Sequence, residues 1–526
     1  MAALAALTTL RIIEDEKLPE RASKAGGYLV QEISKICDKY PSVIFYAQGE
    51  GVMLGVRFNK ACGSENVMLR ALFNTEKSGY LFSAWFFHQH RIRVFPTLSA
   101  PETLRIEPSA YFTKDETDRF CRALEELCLI LVEKRLYDLF SFLMDDDPFD
   151  DNKGALPAIG HYRPILEEAA AGATKVAFIA HFVSPVNELR MLEPDLCRAS
   201  DTGLRILFNR MQWLMEMKPF RLIANNLFHG KIHFSFYVLP VDSAELEHLH
   251  KSGKTRRVIS KIQETVNLAA KDGAAVVSLG GYASILTCNG MSLAEPAGCR
   301  IITGNTLTAA SGLMNLRKFL IASPEFAKPA RIAVVGATGN IGHVIAEILC
   351  SQDDICEGLL LVSRSARRLD AIEKDLEKIK APCINIETST GLSGLKTADI
   401  IILCTNTNDP LIYPHHLSKD RMVLISDLSV PSALSKETAS LPNVISMPFA
   451  AYVSMPDDPG AVISSYSPAG TVFCCAAEAM LAGLESCPFP LKGHLLPGSL
   501  KKISELAGKH GFFNHLGCIK SYKVTA

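Results

Sequence analysis

The stretch Arg331-Ile-Ala-Val-Val-Gly336-Ala-Thr-Gly339-Asn-Ile-Gly342 constrains this chain more than any other. A short apolar run, Ile332 to Val335, passes through three spaced glycines into His343 to Cys350, which has helical periodicity. That is the pattern of a βα unit in a parallel sheet. Gly336 then serves the tight turn, Gly339 lets the backbone approach a pyrophosphate, and Gly342 lets the helix pack on the strand, with phosphate at the helix N-terminus. Thr338, Asn340 and Ile341, between the glycines, are expected beside the same ligand. A glycine turn that packs strand on helix and holds no ligand is the alternative.

The next strand, Gly358-Leu-Leu-Leu-Val-Ser363, ends where an adenosine ribose would lie, and Arg364, Ser365, Arg367 and Arg368 follow. A carboxylate here takes the ribose hydroxyls of NAD, whereas hydroxyls and arginines suit the extra 2′-phosphate of NADP. NADPH is therefore the expected cofactor, with Ser363, Arg364 and Arg367 as contacts. An exposed helix start is the plainer reading, but arginines there oppose the helix dipole, which favours a bound anion. Two more apolar runs, Ala398 to Cys404 and Met422 to Asp427, read as parallel strands buried on both faces. Their polar ends, Thr405 to Asn408 and Asp427 to Pro431, are expected to face the cofactor, Thr405 directly. A dinucleotide domain over residues 327–450 follows.

A chain of 526 residues with 48% hydrophobic content has room for about three domains. The net charge of −1, without a Lys/Arg-rich tract, argues against a nucleic-acid binder. The 15 cysteines are scattered, with no Cys-x-x-Cys pair, which points to reduced thiols and a cytoplasmic protein. Met1 to Glu14 is apolar but lacks a basic leading region and runs into a charged helix, so a signal peptide is not expected, and no run reaches the length of a membrane span.

Asp145-Asp-Asp-Pro-Phe-Asp-Asp-Asn-Lys-Gly154 reads as a solvated linker, placed at 141–160. Before it, Leu18 to Tyr40 and Lys114 to Leu131 read as helices, and Val43 to Gln48, Val52 to Phe58, Arg91 to Pro96 and Thr103 to Pro108 as strands, making an α+β unit over 1–140. The overall expectation is an α/β chain: this unit, an α/β substrate domain at 161–326, the Rossmann-like doubly wound domain at 327–450, and a completing segment at 451–526.

Gly51-Val-Met-Leu-Gly-Val-Arg-Phe58, His90-Arg-Ile-Arg-Val-Phe-Pro-Thr97, Leu104-Arg105-Ile-Glu-Pro108 and Thr113-Lys-Asp-Glu-Thr-Asp118 resemble the small C-terminal domain of class III pyridoxal-phosphate aminotransferases, over residues 1 to 138. The resemblance implies that Arg105 receives a substrate carboxylate, for which a guanidinium fork is suited; a structural salt bridge at a strand end is the alternative. In that family the Schiff-base lysine and the phosphate site lie in a large domain that precedes this one. The resemblance implies pyridoxal phosphate only if a separate aminotransferase large domain is supplied, and a homodimer, the usual assembly of such domains.

A second resemblance covers about Lys175 to the C-terminus. Phe178-Ile-Ala-His181-Phe-Val-Ser184, Gly230-Lys-Ile-His-Phe-Ser-Phe-Tyr237, Ser278-Leu-Gly280-Gly281-Tyr-Ala-Ser284, Thr303-Gly-Asn305-Thr-Leu-Thr308, the Gly336 loop, Phe473-Cys-Cys-Ala-Ala-Glu478 and Lys509-His510-Gly-Phe512 resemble, in order, the aldehyde-forming long-chain acyl-[acyl-carrier-protein] reductases. Asp427-Leu-Ser-Val-Pro431 is also similar to the dinucleotide domain of glutamyl-tRNA reductase. The reductase resemblance implies NADPH-dependent reduction of an acyl thioester, carried by acyl-carrier protein or coenzyme A, to an aldehyde. Together the two resemblances imply a route from acyl thioester to amine.

Enzymes of that family first move the acyl group to a cysteine. Counting back from Phe473-Cys-Cys without gaps puts their cysteine on Tyr452, and no cysteine lies between Cys404 and Cys474. Three accounts follow: another thiol (Cys288, Cys474 or Cys475) substitutes; NADPH attacks the thioester directly, polarised by Tyr452 or Ser454; or activity is lost and the chain is a silent cofactor-binding or docking protein. His181 reads as an acid or donor, or as a buried structural histidine. Asn305, with Thr306 and Thr308, reads as a nicotinamide or ribose contact, or as a helix cap. His88, His90, His415 and His416 lack the supporting ligands of a metal site, so no metal is expected.

Overall fold

The structure, a computed structural model, describes residues 1–63, 66–145, 166–323, 329–447, 450–456, 470–485 and 491–513. The expected linker lies outside the described residues from position 146 to its end. The chain forms two compact units, one of Met1–Pro157 with Pro185–Lys218 and one of Ala158–Ser184 with Pro219–Ala526.

In the first unit, α1 (Ala2–Asp15) and α2 (Leu18–Lys39) precede strands β1 (Ile44–Glu50) and β2 (Met53–Phe58). Then α3 (Val67–Asn74) and α4 (Ser78–His90) lead into β3 (Phe95–Pro96) and β4 (Thr103–Ile106), followed by α5 (Lys114–Glu133) and α6 (Leu136–Phe140). The strands form an antiparallel sheet in the order β1-β2-β4-β3. Helix α2 buries Leu29, Ile33 and Ile36, one face at three- and four-residue spacing. Helix α5 opens on a capping box in which the Thr113 side chain accepts from the Glu116 N–H and the Glu116 carboxylate accepts from the Thr113 N–H. The strand expected from Arg91 shrinks to Phe95–Pro96, because α4 runs to His90 and Arg91 ends it in the left-handed region, φ 56°.

Helices α7 (Pro185–Leu192) and α8 (Asp201–Leu214) also belong to this unit, although the sequence places them inside 161–326. Polar anchors explain the difference. The buried Glu193 carboxylate accepts from Asn66 Nδ2 at 2.6 Å and from the Met68 N–H at 3.1 Å, Arg198 pairs with Asp138 at 3.1 Å, and Arg210 grips Asp145 at 2.6 Å.

The second unit holds two larger sheets. The first contains β5 (Thr174–Phe182), β6 (Phe220–Leu227), β7 (Ile232–Asp242), β8 (Val276–Leu279) and β9 (Arg300–Ile302), with α9 (Ser243–Ser252), α10 (Arg256–Lys271) and α11 (Tyr282–Leu286) between strands. Its order is β6-β7-β5-β8-β9, parallel except for the edge strand β6. Helix α12 (Asn305–Ala322) then leads to β10 (Ala330–Val335), α13 (Asn340–Leu349), β11 (Cys356–Val362), α14 (Ala366–Leu376), β12 (Asn385–Ser389), β13 (Ile400–Leu403), β14 (Val423–Asp427), α15 (Lys436–Ala439) and β15 (Val444–Met447). This second sheet is parallel throughout, in the order β12-β11-β10-β13-β14-β15. Every residue of β13 and β14 is buried, as a sheet covered on both faces demands. Each buried Ile, Leu or Val side chain there contributes about 1.5–3 kcal/mol of transfer free energy.

The described residues end with an antiparallel pair, β16 (Tyr452–Ser454) and β17 (Thr471–Phe473), and with α16 (Cys474–Leu484) and α17 (Pro497–Lys509). Helix α16 returns to pack on β5 and β8, while α12 packs against α13, α16 and α17.

Candidate functional site

The six-stranded sheet reverses its order between β10 and β13, the place where such sheets bind dinucleotides. The glycine loop sits there. Gly336 has φ 90°, and its N–H and that of Ala337 donate to Val362 O at 2.8 and 3.2 Å. A Cβ on Gly336 would stand 2.4 Å from Cys404 O, and one on Gly342 would stand 2.4 Å from Gly336 O. Protein packing alone demands both glycines. Gly339 differs: a Cβ there would meet only Gly336 O at 3.2 Å and Cys404 O at 4.0 Å. The exposed space over Gly339, at the start of α13 with its first-turn N–H groups and positive dipole end, fits a phosphate.

Around this loop, Thr338 Oγ1 and Ser363 Oγ share a hydrogen bond of 2.6 Å. Arg364, Arg367 and Arg368 are exposed, and the first turn of α14 carries no acidic residue to balance them. Thr405 Oγ1 lies 3.2 Å from Ser429 Oγ, within a loop organised by the buried Asp427, which accepts from Ser429 N–H, Ser432 Oγ and Ala433 N–H at 2.9, 2.7 and 3.0 Å. Burial raises the Asp427 carboxyl while these donors oppose the rise. Ile341 is half-buried in the first turn of α13. Asn340 departs from the sequence reading in one respect. Its side chain donates to Gly493 O at 2.8 Å and accepts from the Leu495 N–H at 3.2 Å, so only its backbone is left to a cofactor.

Loops at the strand ends of the five-stranded sheet meet these loops. Tyr282 donates to Asn406 O at 3.4 Å, and Asn408 Nδ2 donates to Glu247 Oε2 and Ser243 O at 2.6 and 3.0 Å. Burial, with the nearby Glu247, pushes the Tyr282 phenol up, against the pull of Arg364. Nothing in the local pattern around Tyr282 marks this role, since its partner Asn406 lies 124 residues away.

His181 is buried, and both ring nitrogens are used. Nε2 accepts from the Tyr282 N–H at 3.1 Å, which leaves the proton on Nδ1, 3.0 Å from Phe182 O. Burial holds the imidazole below its usual range. It braces the Gly281 turn, where a Cβ would stand 2.8 Å from Nε2. This is the structural alternative, with no nitrogen left for substrate.

Asn305 reaches Ser284 Oγ at 3.3 Å and Asn289 Oδ1 at 3.4 Å. It does not cap α12 with its side chain. That task falls to Glu478 of α16, buried, whose Oε2 accepts from the Leu307 N–H at 2.7 Å. Burial raises this carboxyl to about 8, with the Leu307, Gly304 and Thr306 N–H groups opposing. One acid on the otherwise apolar helix 474–484 was the available signal.

The remaining candidates are dispersed. Cys474 is fully buried and burial pushes its thiol far up; burial also raises Cys475, to about 12. Cys288 is exposed, with φ 51°. Tyr452 is buried, laddered with Phe473 and packed against its ring at 4.8 Å between centroids, the planes tilted by 31°. Ser454 Oγ donates to Gly511 O at 3.2 Å and accepts from the Phe513 N–H at 2.8 Å. Arg105, in the first unit, is exposed and paired with Glu107 at 3.2 Å.

The sheet order and its glycine turn define an NAD(P)-binding Rossmann-like domain of dehydrogenase type. A profile of the shikimate/quinate 5-dehydrogenase family matches residues 321–448. The chain is similar to the aminotransferase PigE of a Serratia species, 25% identical over 364 residues, 64% of this chain and 39% of that protein. It is also similar to the putrescine aminotransferase of Pectobacterium atrosepticum, 28% identical over 127 residues, 24% of each. The chain thus spans well under half the length of either relative. Among solved structures, L-tryptophan dehydrogenase from Nostoc punctiforme aligns at 10% identity and a TM-score of 0.29, over 64% of this chain and 79% of that one. No helix among the described residues is long and apolar enough to cross a membrane.

Proposed function

We propose that the second unit reduces a fatty acyl thioester, carried by acyl-carrier protein or coenzyme A, to an aldehyde at the expense of NADPH. The observation that carries this reading is the open face of Gly339 at the sheet reversal, beside a strand end that bears Ser363, Arg364 and Arg367 and no carboxylate. NADPH held there would supply the hydride for the thioester carbonyl carbon, with one proton from solvent going to the departing sulfur as the C–S bond breaks, giving aldehyde, free thiol and NADP⁺. The chain's own residues do the rest. The α13 N-terminus holds the pyrophosphate, the arginines take the 2′-phosphate, and Thr405, pinned through Ser429, lines the cleft. Asn305, held by Ser284 and Asn289, offers an amide to the nicotinamide end.

The first unit is proposed to dock an aminotransferase large domain, which would bring pyridoxal phosphate and convert the aldehyde to an amine, in a cytoplasmic homodimer. Similarity to two aminotransferases supports this part. A second reading, a silent cofactor-binding protein, is favoured by the buried thiol of Cys474 and the raised thiol of the half-buried Cys475. The deciding experiment follows NADPH oxidation by the purified chain with long-chain acyl-carrier protein or acyl-coenzyme A, while quantifying aldehyde and NADPH affinity. Stoichiometric aldehyde supports the reductase; tight NADPH binding without turnover selects the silent protein; no NADPH binding rejects both.

A further inference from the structure

His343 and Glu347 are four residues apart on α13, so they share a face of that helix. His494 approaches from the segment before α17. One ligand atom from each residue lies within 4.8 Å of the other two, and the His343 and His494 rings stand 5.0 Å apart at 63°. The backbone on both sides of His494 is already fixed. Asn340, one turn before His343, holds Gly493 O and the Leu495 N–H at 2.8 and 3.2 Å; Gly493 N–H donates to Asn289 O at 3.0 Å; and Lys492 pairs with Glu295 at 2.5 Å.

We propose that His343, Glu347 and His494 bind a divalent transition-metal ion, zinc in the first instance. Two imidazoles and a carboxylate suit zinc, whereas magnesium and calcium prefer all-oxygen shells. Bonds of about 2.0–2.2 Å in a tetrahedron put ligand atoms roughly 3.4 Å apart, so the triangle has to close by about an ångström. Rotation of the exposed His494 ring can supply that movement. Three protein ligands leave a fourth position for water. The ion would clamp the 491–496 segment to the helix whose N-terminus forms the glycine loop. Adjacent histidines give no sign of this site, because its ligands stand far apart in the sequence, two on α13 and one in the segment before α17.

The test uses the full chain without a histidine tag, stripped with chelator and then titrated with zinc against a chromophoric competitor. The expected result is one tight zinc per chain, a higher melting temperature with zinc, and loss of both in His494→Ala and Glu347→Gln. Affinity should fall by more than about 100-fold, since even outer partners of a bound metal are worth 10–100-fold. Metal-free His494→Ala should melt with metal-free wild type, which separates ligand loss from misfolding. Cobalt should give visible bands without thiolate charge transfer. Zinc binding that survives both substitutions, a thiolate band, or no retained zinc would overturn the proposal.

Discussion

Two glycines in one loop should fail in different ways. In Gly342→Ala the new methyl would stand 2.4 Å from Gly336 O, 2.9 Å from Gly336 C and 3.0 Å from Ala337 Cα, all backbone, where ordinary contact begins at 3.4 Å. Helix α13 must therefore retreat by about an ångström, at a cost of about 1–3 kcal/mol, a drop of roughly 2–12 °C in melting temperature. The retreat also moves the α13 N–H groups off the phosphate. Each charge-assisted hydrogen bond lost is worth about 1.5–3 kcal/mol, so NADPH binding weakens at least about tenfold. Gly339→Ala has no such internal conflict. Its φ of −80° suits alanine, and its methyl meets Gly336 O at 3.2 Å, a few tenths short of ordinary contact, and Cys404 O only at 4.0 Å. The free protein should keep its stability within about 1 kcal/mol. The methyl nonetheless fills the space a pyrophosphate needs, and binding should fall at least as far as in Gly342→Ala. Calorimetric melts paired with NADPH fluorescence titrations read both effects. If Gly339→Ala binds NADPH like wild type, no ligand approaches Gly339 and the loop is only a packing turn.

Replacing Arg364 and Arg367 together by alanine should weaken NADPH by about tenfold or more and leave NADH unchanged, since a lost 2′-phosphate contact is invisible to NADH; equal losses for the two cofactors would sink the assignment. Glu193 should make the first unit lose stability as pH rises. Burial raises its folded carboxyl from 4.5 to about 8, so the folded state binds the proton more tightly, and stability falls from about pH 4.5 through about pH 8. The share lost by pH 7 is about 3 kcal/mol. Glu193→Gln, which keeps an acceptor for Asn66, should flatten that slope in urea melts at stepped pH; an unchanged slope would refute the protonation argument.

What the sequence disclosed followed from how local each signal is. The Gly336 loop, β13 and β14 are apolar runs punctuated by turn residues, and a strand buried on both faces needs no distant partner to be recognised. Helix α5 announced itself by Thr113 and Glu116. Helix α4 did not, because Leu81, Phe82, Trp85 and Phe86 sit in a helix apolar nearly all round, which leaves no polar stripe to reveal its period. Residues 185–218 were assigned by chain position, while Glu193 binds them to Asn66, a contact that no local pattern encodes. The site divides the same way. Gly336, Gly339, Gly342, Ser363 and Thr405 were expected together because they follow the ends of the neighbouring strands β11, β10 and β13. The roles of Glu478, Tyr282 and the Asn340 side chain depend on partners more than 100 residues away.

The thiol question narrows once burial is taken with position. An acyl-transfer cysteine must reach a bulky thioester as a thiolate. Cys474, the first residue of α16, is fully buried with its thiol pushed far up, and Cys475 is raised to about 12 with its carbonyl tied to Ser278. Cys288 is exposed, sits in a left-handed turn, and precedes Asn289, whose side chain already touches Asn305. A non-glycine residue held at φ 51° is a feature that clusters at functional sites. Chain incubated with acyl-coenzyme A in the absence of NADPH should therefore carry its acyl adduct, by intact and peptide mass spectrometry, on Cys288, and Cys288→Ser should abolish adduct and aldehyde together. Cys474→Ala should cost only about 1 kcal/mol of packing and leave turnover within about twofold. Aldehyde formed by Cys288→Ser at the wild-type rate, with no adduct in either protein, would instead mean that hydride reaches the thioester directly and that the chain does without a nucleophile.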